Sequence, residues 1–75
     1  MVCTYRVRTD MVEDEERRTH TVYGIEAVGE GGETLSSFSD VFADSRQAEC
    51  FAGLCNDGGL PLMHFSYAVV DALAE

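Results

Sequence analysis

Seventy-five residues permit one domain with a thin core. Fourteen acids stand against five arginines and no lysine, a formal net charge of −9, which excludes nucleic acid and anionic membranes as partners because both require a basic footprint. A total stability on the order of 4–11 kcal/mol leaves little to hold open a large preformed cavity, so size weighs against a monomeric enzyme.

From Val2 to Thr9 the residues alternate. Cys3, Tyr5 and Val7 point one way, and Thr4, Arg6 and Arg8 the other, the period-two signature of a half-buried strand. A second β-rich run, Thr19 to Val28, carries Thr21, Tyr23, Ile25 and Ala27 on one face. Pairing the two as a hairpin centred on Asp14 sets Val7 opposite Thr21, Tyr5 opposite Tyr23 and Cys3 opposite Ile25. That register stacks two tyrosines on the inner face. The connection from Asp10 to Arg18 is polar and long for a hairpin. Met11 and Val12 either extend the first strand or fold the loop back.

Gly29-Glu30-Gly31-Gly32 supplies the backbone freedom of a tight turn, and a third strand, Glu33 to Phe38, is expected after it. A two-residue turn sets Ile25 opposite Ser36 and buries Phe38. A one-residue bulge, favoured by three glycines in four residues, buries Leu35 instead. Asp44 and Gln47 then read as a capping box, with Ser45 as the alternative cap. Ala48, Phe51, Ala52 and Cys55 recur at helical spacing with Leu54 beside them, and define the buried face. Asn56 to Gly59 ends this helix. The last helix is expected from Leu62 or Met63 to Ala74, with Leu62, Phe65, Val69 and Leu73 inward and Pro61 before its first turn. The reading is α+β: a three-stranded antiparallel β-meander followed by two short α-helices packed on one face, β-β-β-α-α.

The residues that suggest chemistry are better placed as structure. Cys50 and Cys55 lie roughly 140° apart on a helix, so they cannot share one metal ion. The acids Glu13 to Glu16 lack the alternate spacing and bend glycine of a calcium loop. Cys55, His64 and Asp71 are the residue types of a cysteine hydrolase, but Cys55 ends a helix, where the macrodipole raises a thiol's pKa. The glycine-rich turn lacks the lysine and following helix of a phosphate loop. No catalytic residue, cofactor or metal site is therefore assigned. Three cysteines cannot all pair within one chain, no apolar leader follows Met1, and no segment has the length to span a bilayer. A cytoplasmic location with reduced thiols is expected.

Tyr23-Gly24-Ile25, Ser39-Asp40-Val41-Phe42, Leu54-Cys55-Asn56 and the segment Leu60 to Leu73 with His64 and Asp71 together resemble a family of small uncharacterised proteins from anaerobic Gram-positive bacteria, a domain of unknown function. The resemblance spans Thr21 to Leu73. The chain departs from the family pattern at Leu62, where proline is usual, and at Val70, where an acid is usual. The resemblance implies a cytoplasmic bacterial protein and adds no catalytic residue.

The expected function is a non-enzymatic protein-interaction or regulatory module, acting on a protein partner or by self-association as a homodimer. An acidic inhibitor or antitoxin-like protein masking a basic partner is the alternative, and a small hydrolase the third. Arg6 and Arg8 guard the first strand against self-pairing, so the contact is expected at the third strand or on the last helix. There Tyr67, Val70 and His64 are the candidate partner-binding residues.

Overall fold

The computed structural model describes residues 3–74. Three strands, β1 (Cys3–Glu13), β2 (Thr19–Gly29) and β3 (Thr34–Phe42), form one antiparallel sheet in the order β1-β2-β3. Two helices follow, α1 (Ser45–Asp57) and α2 (Phe65–Leu73), with a single 3-10 turn at Leu62–His64 leading into α2. The fold is the expected small α+β arrangement. Val2, expected to open the first strand, lies outside the described residues.

The first hairpin is longer and tighter than the loop composition predicts. Met11, Val12 and Glu13 extend β1, and the pairing runs from Cys3 opposite Gly29 to Glu13 opposite Thr19. Tyr5 therefore faces Ala27 and Val7 faces Ile25, so the expected Tyr5–Tyr23 stack does not form. The error is four residues along the strand. An even slip leaves every side chain on its expected face, which is why Tyr5, Ile25 and Ala27 are still buried.

Both hairpin turns use one geometry. At the first, the Arg17 N–H donates to the Asp14 carbonyl at 3.0 Å and Arg17 adopts φ 63°. At the second, the Gly32 N–H donates to the Gly29 carbonyl at 3.0 Å and Gly32 has φ 86°. This is a three-residue loop closed by a left-handed residue, natural for Gly32 and strained for Arg17. The first turn compensates through Asp14, whose carboxylate accepts the N–H groups of Glu16 at 2.9 Å and Arg18 at 2.8 Å.

β3 is bulged twice. One extra residue at Leu35 separates the pairs Val28–Thr34 and Ala27–Ser36. A wider bulge at residues 39–41, with Asp40 at φ 55°, sits opposite Gly24. A Cβ at Gly24 would lie 2.0 Å from the Phe38 carbonyl oxygen, so this bulge requires glycine. The expectation that a bulge buries Leu35 is corrected. Phe38, opposite Ile25, packs against the core instead, while Leu35 is only half-buried. Loop and bulge together displace β3 by two residues, and an even displacement keeps Phe38 inward.

Asp44 caps α1, its Oδ1 accepting the Arg46 N–H at 2.8 Å. The bond goes to Arg46, two positions on, and not to Gln47. At the other end the Leu60 N–H reaches the Cys55 carbonyl at 3.0 Å and the Gly59 N–H the Asn56 carbonyl at 3.2 Å, with Gly59 at φ 60°. That paired closure is the Schellman motif. The core joins Tyr5, Ile25 and Ala27 of the sheet to Ala48, Ala52 and Cys55 of α1 and Phe65 and Val69 of α2. Phe65, 1% exposed, is its centre, with ring centroids 4.9 Å from Tyr5 and 5.2 Å from Phe38. Phe51, expected on the buried face of α1, is only half-buried, its ring centroid 5.6 Å from that of Phe42. Leu73, expected inward, is 58% exposed at the end of α2.

Candidate functional site

The candidate site is the outer surface of the two helices, and its placement begins at Tyr5. The Tyr5 main chain faces away from β2, at the open edge of the sheet. The Asn56 side chain meets it there: Oδ1 accepts the Tyr5 N–H and Nδ2 donates to the Tyr5 carbonyl, each at 2.8 Å. An amide side chain thus does what a neighbouring strand would do, and guards an edge that would otherwise pair with other chains. The Tyr5 hydroxyl donates to the Leu60 carbonyl at 2.6 Å. Burial, with the Cys3 thiol beside it, pushes the Tyr5 phenol well above its ordinary range. These bonds fix the end of α1 over β1, while α2 packs toward β3. Sequence reading treats Asn56 only as a helix stop. Its signal was its place one residue after a core cysteine, within reach of the sheet edge.

Beside the two helices an apolar groove of about 450 Å³ opens, lined by Phe42, Cys50, Phe51, Leu54, Ala72 and Leu73 among others. A second hollow, of about 310 Å³, continues it past Phe51 and Leu54 to Leu60, Pro61 and Ala68. Sequence reading missed this groove, since Leu54 and Leu73 were assigned to the core's side.

The predicted partner-binding residues fall on the outer face of α2. Tyr67 is 72% exposed and Val70 62%. Met63, one turn before Tyr67, is 75% exposed, and His64 is exposed beside it. On α2 a spacing of three residues sets Tyr67 and Val70 in one stripe, opposite the buried pair Phe65 and Val69, and Met63 stands exposed in the 3-10 turn that leads into it.

Residues considered for chemistry are dispersed. Cys55 faces the core, and burial pushes its thiol up, while His64 is exposed in the 3-10 turn before α2 and Asp71 on α2. Cys50 is exposed in the groove and Cys55 buried, as their helical separation predicts. His20 Nε2 lies 2.8 Å from Asp14 Oδ2 at the tip of the first hairpin. His20, together with the Arg18 and Glu16 N–H groups, holds the Asp14 carboxyl below its usual range. The acid run is thus organised around Asp14 as a turn. Among the described residues no three His, Cys, Asp or Glu side chains are grouped as metal ligands, and no helix is long and apolar enough to cross a membrane. No family model, curated protein or solved structure matches this chain.

Proposed function

We propose that this chain is a cytoplasmic bacterial protein that acts by protein–protein contact through its helical face, as a non-enzymatic interaction or regulatory module. One observation carries the reading. Most of the large apolar side chains that stay exposed lie on the helical side, Met63, Tyr67 and Val70 in a stripe and Leu54 and Leu73 in the groove, while Met11 and Val12 stand apart on the first hairpin. Contiguous apolar surface rimmed by polar residues marks an interaction site, whereas single exposed apolar residues mark nothing. The charge distribution supports the same face. Leu60 to Ala74 hold one of the fourteen acids and no arginine, so a partner meets little charge to desolvate there.

The test is capture from a host lysate by wild type and by Leu54→Glu and Tyr67→Glu variants, with mass spectrometry. The reading requires partners that bind wild type, survive high salt and are lost from the variants. A second reading, an acidic mask for a basic partner, draws on the acids around both hairpin turns, Glu13 to Glu16 and Glu30 to Glu33. A partner released by salt and kept by both helical variants would favour it, because screening weakens exposed charge pairs and spares apolar contact.

A further inference from the structure

We infer that the occupant of the α2 stripe is a second copy of this chain, laid antiparallel across the first about a two-fold axis beside Tyr67. This rests on the helical face being the contact surface, and it adds the partner and its orientation.

The inference comes from the order of residues on the helix. His64, the N-cap residue of α2, and Asp71 are seven positions apart, about two helical turns, which sets them toward the same side of the helix with Tyr67 between them. Both are exposed. The ion pairs among the described residues all lie on the sheet and its first hairpin, and neither side chain takes part in them. A two-fold rotation that reverses α2 exchanges the ends of this segment. His64 then meets the partner's Asp71, and Asp71 meets the partner's His64. An imidazole N–H donates to a carboxylate in either protonation state, so one symmetry operation makes two matched contacts. Met63, Tyr67 and Val70 close over the middle from both copies. A self-complementary patch of this kind is what a two-fold dimer requires. A parallel pairing would instead set Asp71 against Asp71.

The alternatives for self-association are poorer. The β1 edge is occupied at Tyr5 by Asn56, and the β3 edge is broken by two bulges. The chain's net charge of −9 opposes any dimer, but the α2 stripe carries Asp71 alone. Stable interfaces bury about 800 Å² per partner. A stripe on a nine-residue helix supplies less, so the association is expected to be micromolar.

Sedimentation over about 10–300 µM, the range suited to an interface of this size, tests it with four variants: Val70→Glu, His64→Asp, Asp71→His and the double swap. Wild type should pass from monomer to dimer across this range, and Val70→Glu should stay monomeric with an unchanged circular dichroism spectrum. Each single swap places like groups opposite each other and should weaken the dimer about tenfold, with the double swap restoring it. A monomeric wild type overturns the second copy as occupant, while the lysate capture above still decides the helical face separately. A dimer that survives Val70→Glu places the contact elsewhere and overturns the inference. A dimer lost in Val70→Glu but not restored by the double swap overturns the antiparallel orientation.

Discussion

Replacing Asn56 by aspartate changes one atom pair and should destabilise the protein more than removing the side chain. In the native chain the amide makes two bonds of 2.8 Å to the Tyr5 main chain, one accepting and one donating. Each is worth about 0.5–1.5 kcal/mol net. Alanine forfeits both but gains roughly 0.6 kcal/mol of helix propensity, so Asn56→Ala should cost about 0.5–2.5 kcal/mol. Aspartate keeps the acceptor for the Tyr5 N–H, but turns a second carboxylate oxygen toward the Tyr5 carbonyl in place of a donor. It also adds a negative charge at the C-terminal end of α1, unfavourable by about 0.3–1 kcal/mol. Asn56→Asp should therefore lose roughly 2–4 kcal/mol at neutral pH, or on the order of 10 °C in melting temperature for a domain this small. Acid should reverse much of the loss. A protonated carboxyl again donates to the Tyr5 carbonyl, so the folded pKa of this aspartate is raised above its unfolded value of about 3.9. Its stabilising share is then complete below that unfolded value and disappears as pH rises through the folded one. Urea titrations of wild type, Asn56→Ala and Asn56→Asp at neutral and acidic pH measure the differences. An aspartate variant as stable as the alanine variant at neutral pH, or a deficit that does not shrink in acid, would refute the pairing of Asn56 with the sheet edge.

Phe65→Ala should cost about 3–5 kcal/mol, close to the whole stability, and Phe51→Ala markedly less because its ring is half-buried; calorimetry that reversed this order would displace Phe65 from the centre of the core. Arg17→Gly relieves a left-handed arginine and should raise stability by up to about 1 kcal/mol, and a lower melting temperature would show that the arginine side chain outweighs its backbone strain. The Asp14 carboxyl is held low first by His20 and then by the Arg18 N–H, so its contribution is present above the unfolded pKa of about 3.9 and is lost as pH falls through the folded value. Asp14→Ala should flatten that acid dependence and speed amide exchange at Glu16 and Arg18, whereas unchanged exchange at both amides would contradict the Asp14-centred turn.

Element order and strand faces were legible in the sequence because both follow from local periodicity. Tyr5, Ile25 and Ala27 face inward whichever even register is chosen, so alternation finds them without knowing the pairing. The register itself depends on how many loop residues join the strands. Met11 to Glu13 carry no strong strand signal, and they pair because Thr19 to Thr21 lie opposite. Phe38 and Leu35 compete for the core through the bulge at Leu35, and Phe38 packs inward against Phe65, a residue far away in sequence. The exposed stripe of Tyr67 and Val70 was visible as the face left over once Phe65 and Val69 are turned inward. The groove was not, since its lining comes from the end of β3, from α1 and from the end of α2, which only tertiary packing brings together.

The first hairpin outruns the rest of the sheet. β3 stops pairing at Tyr23, opposite Phe42, while β1 and β2 continue together to Glu13 and Thr19. The rungs beyond have no third strand beside them, and Met11 and Val12 stay exposed. A two-stranded ribbon is marginal by itself, so this arm should open and close many times for each global unfolding. Its tip is consequently the part of the molecule that can lengthen, shorten or accept inserted sequence with the least disturbance to the core.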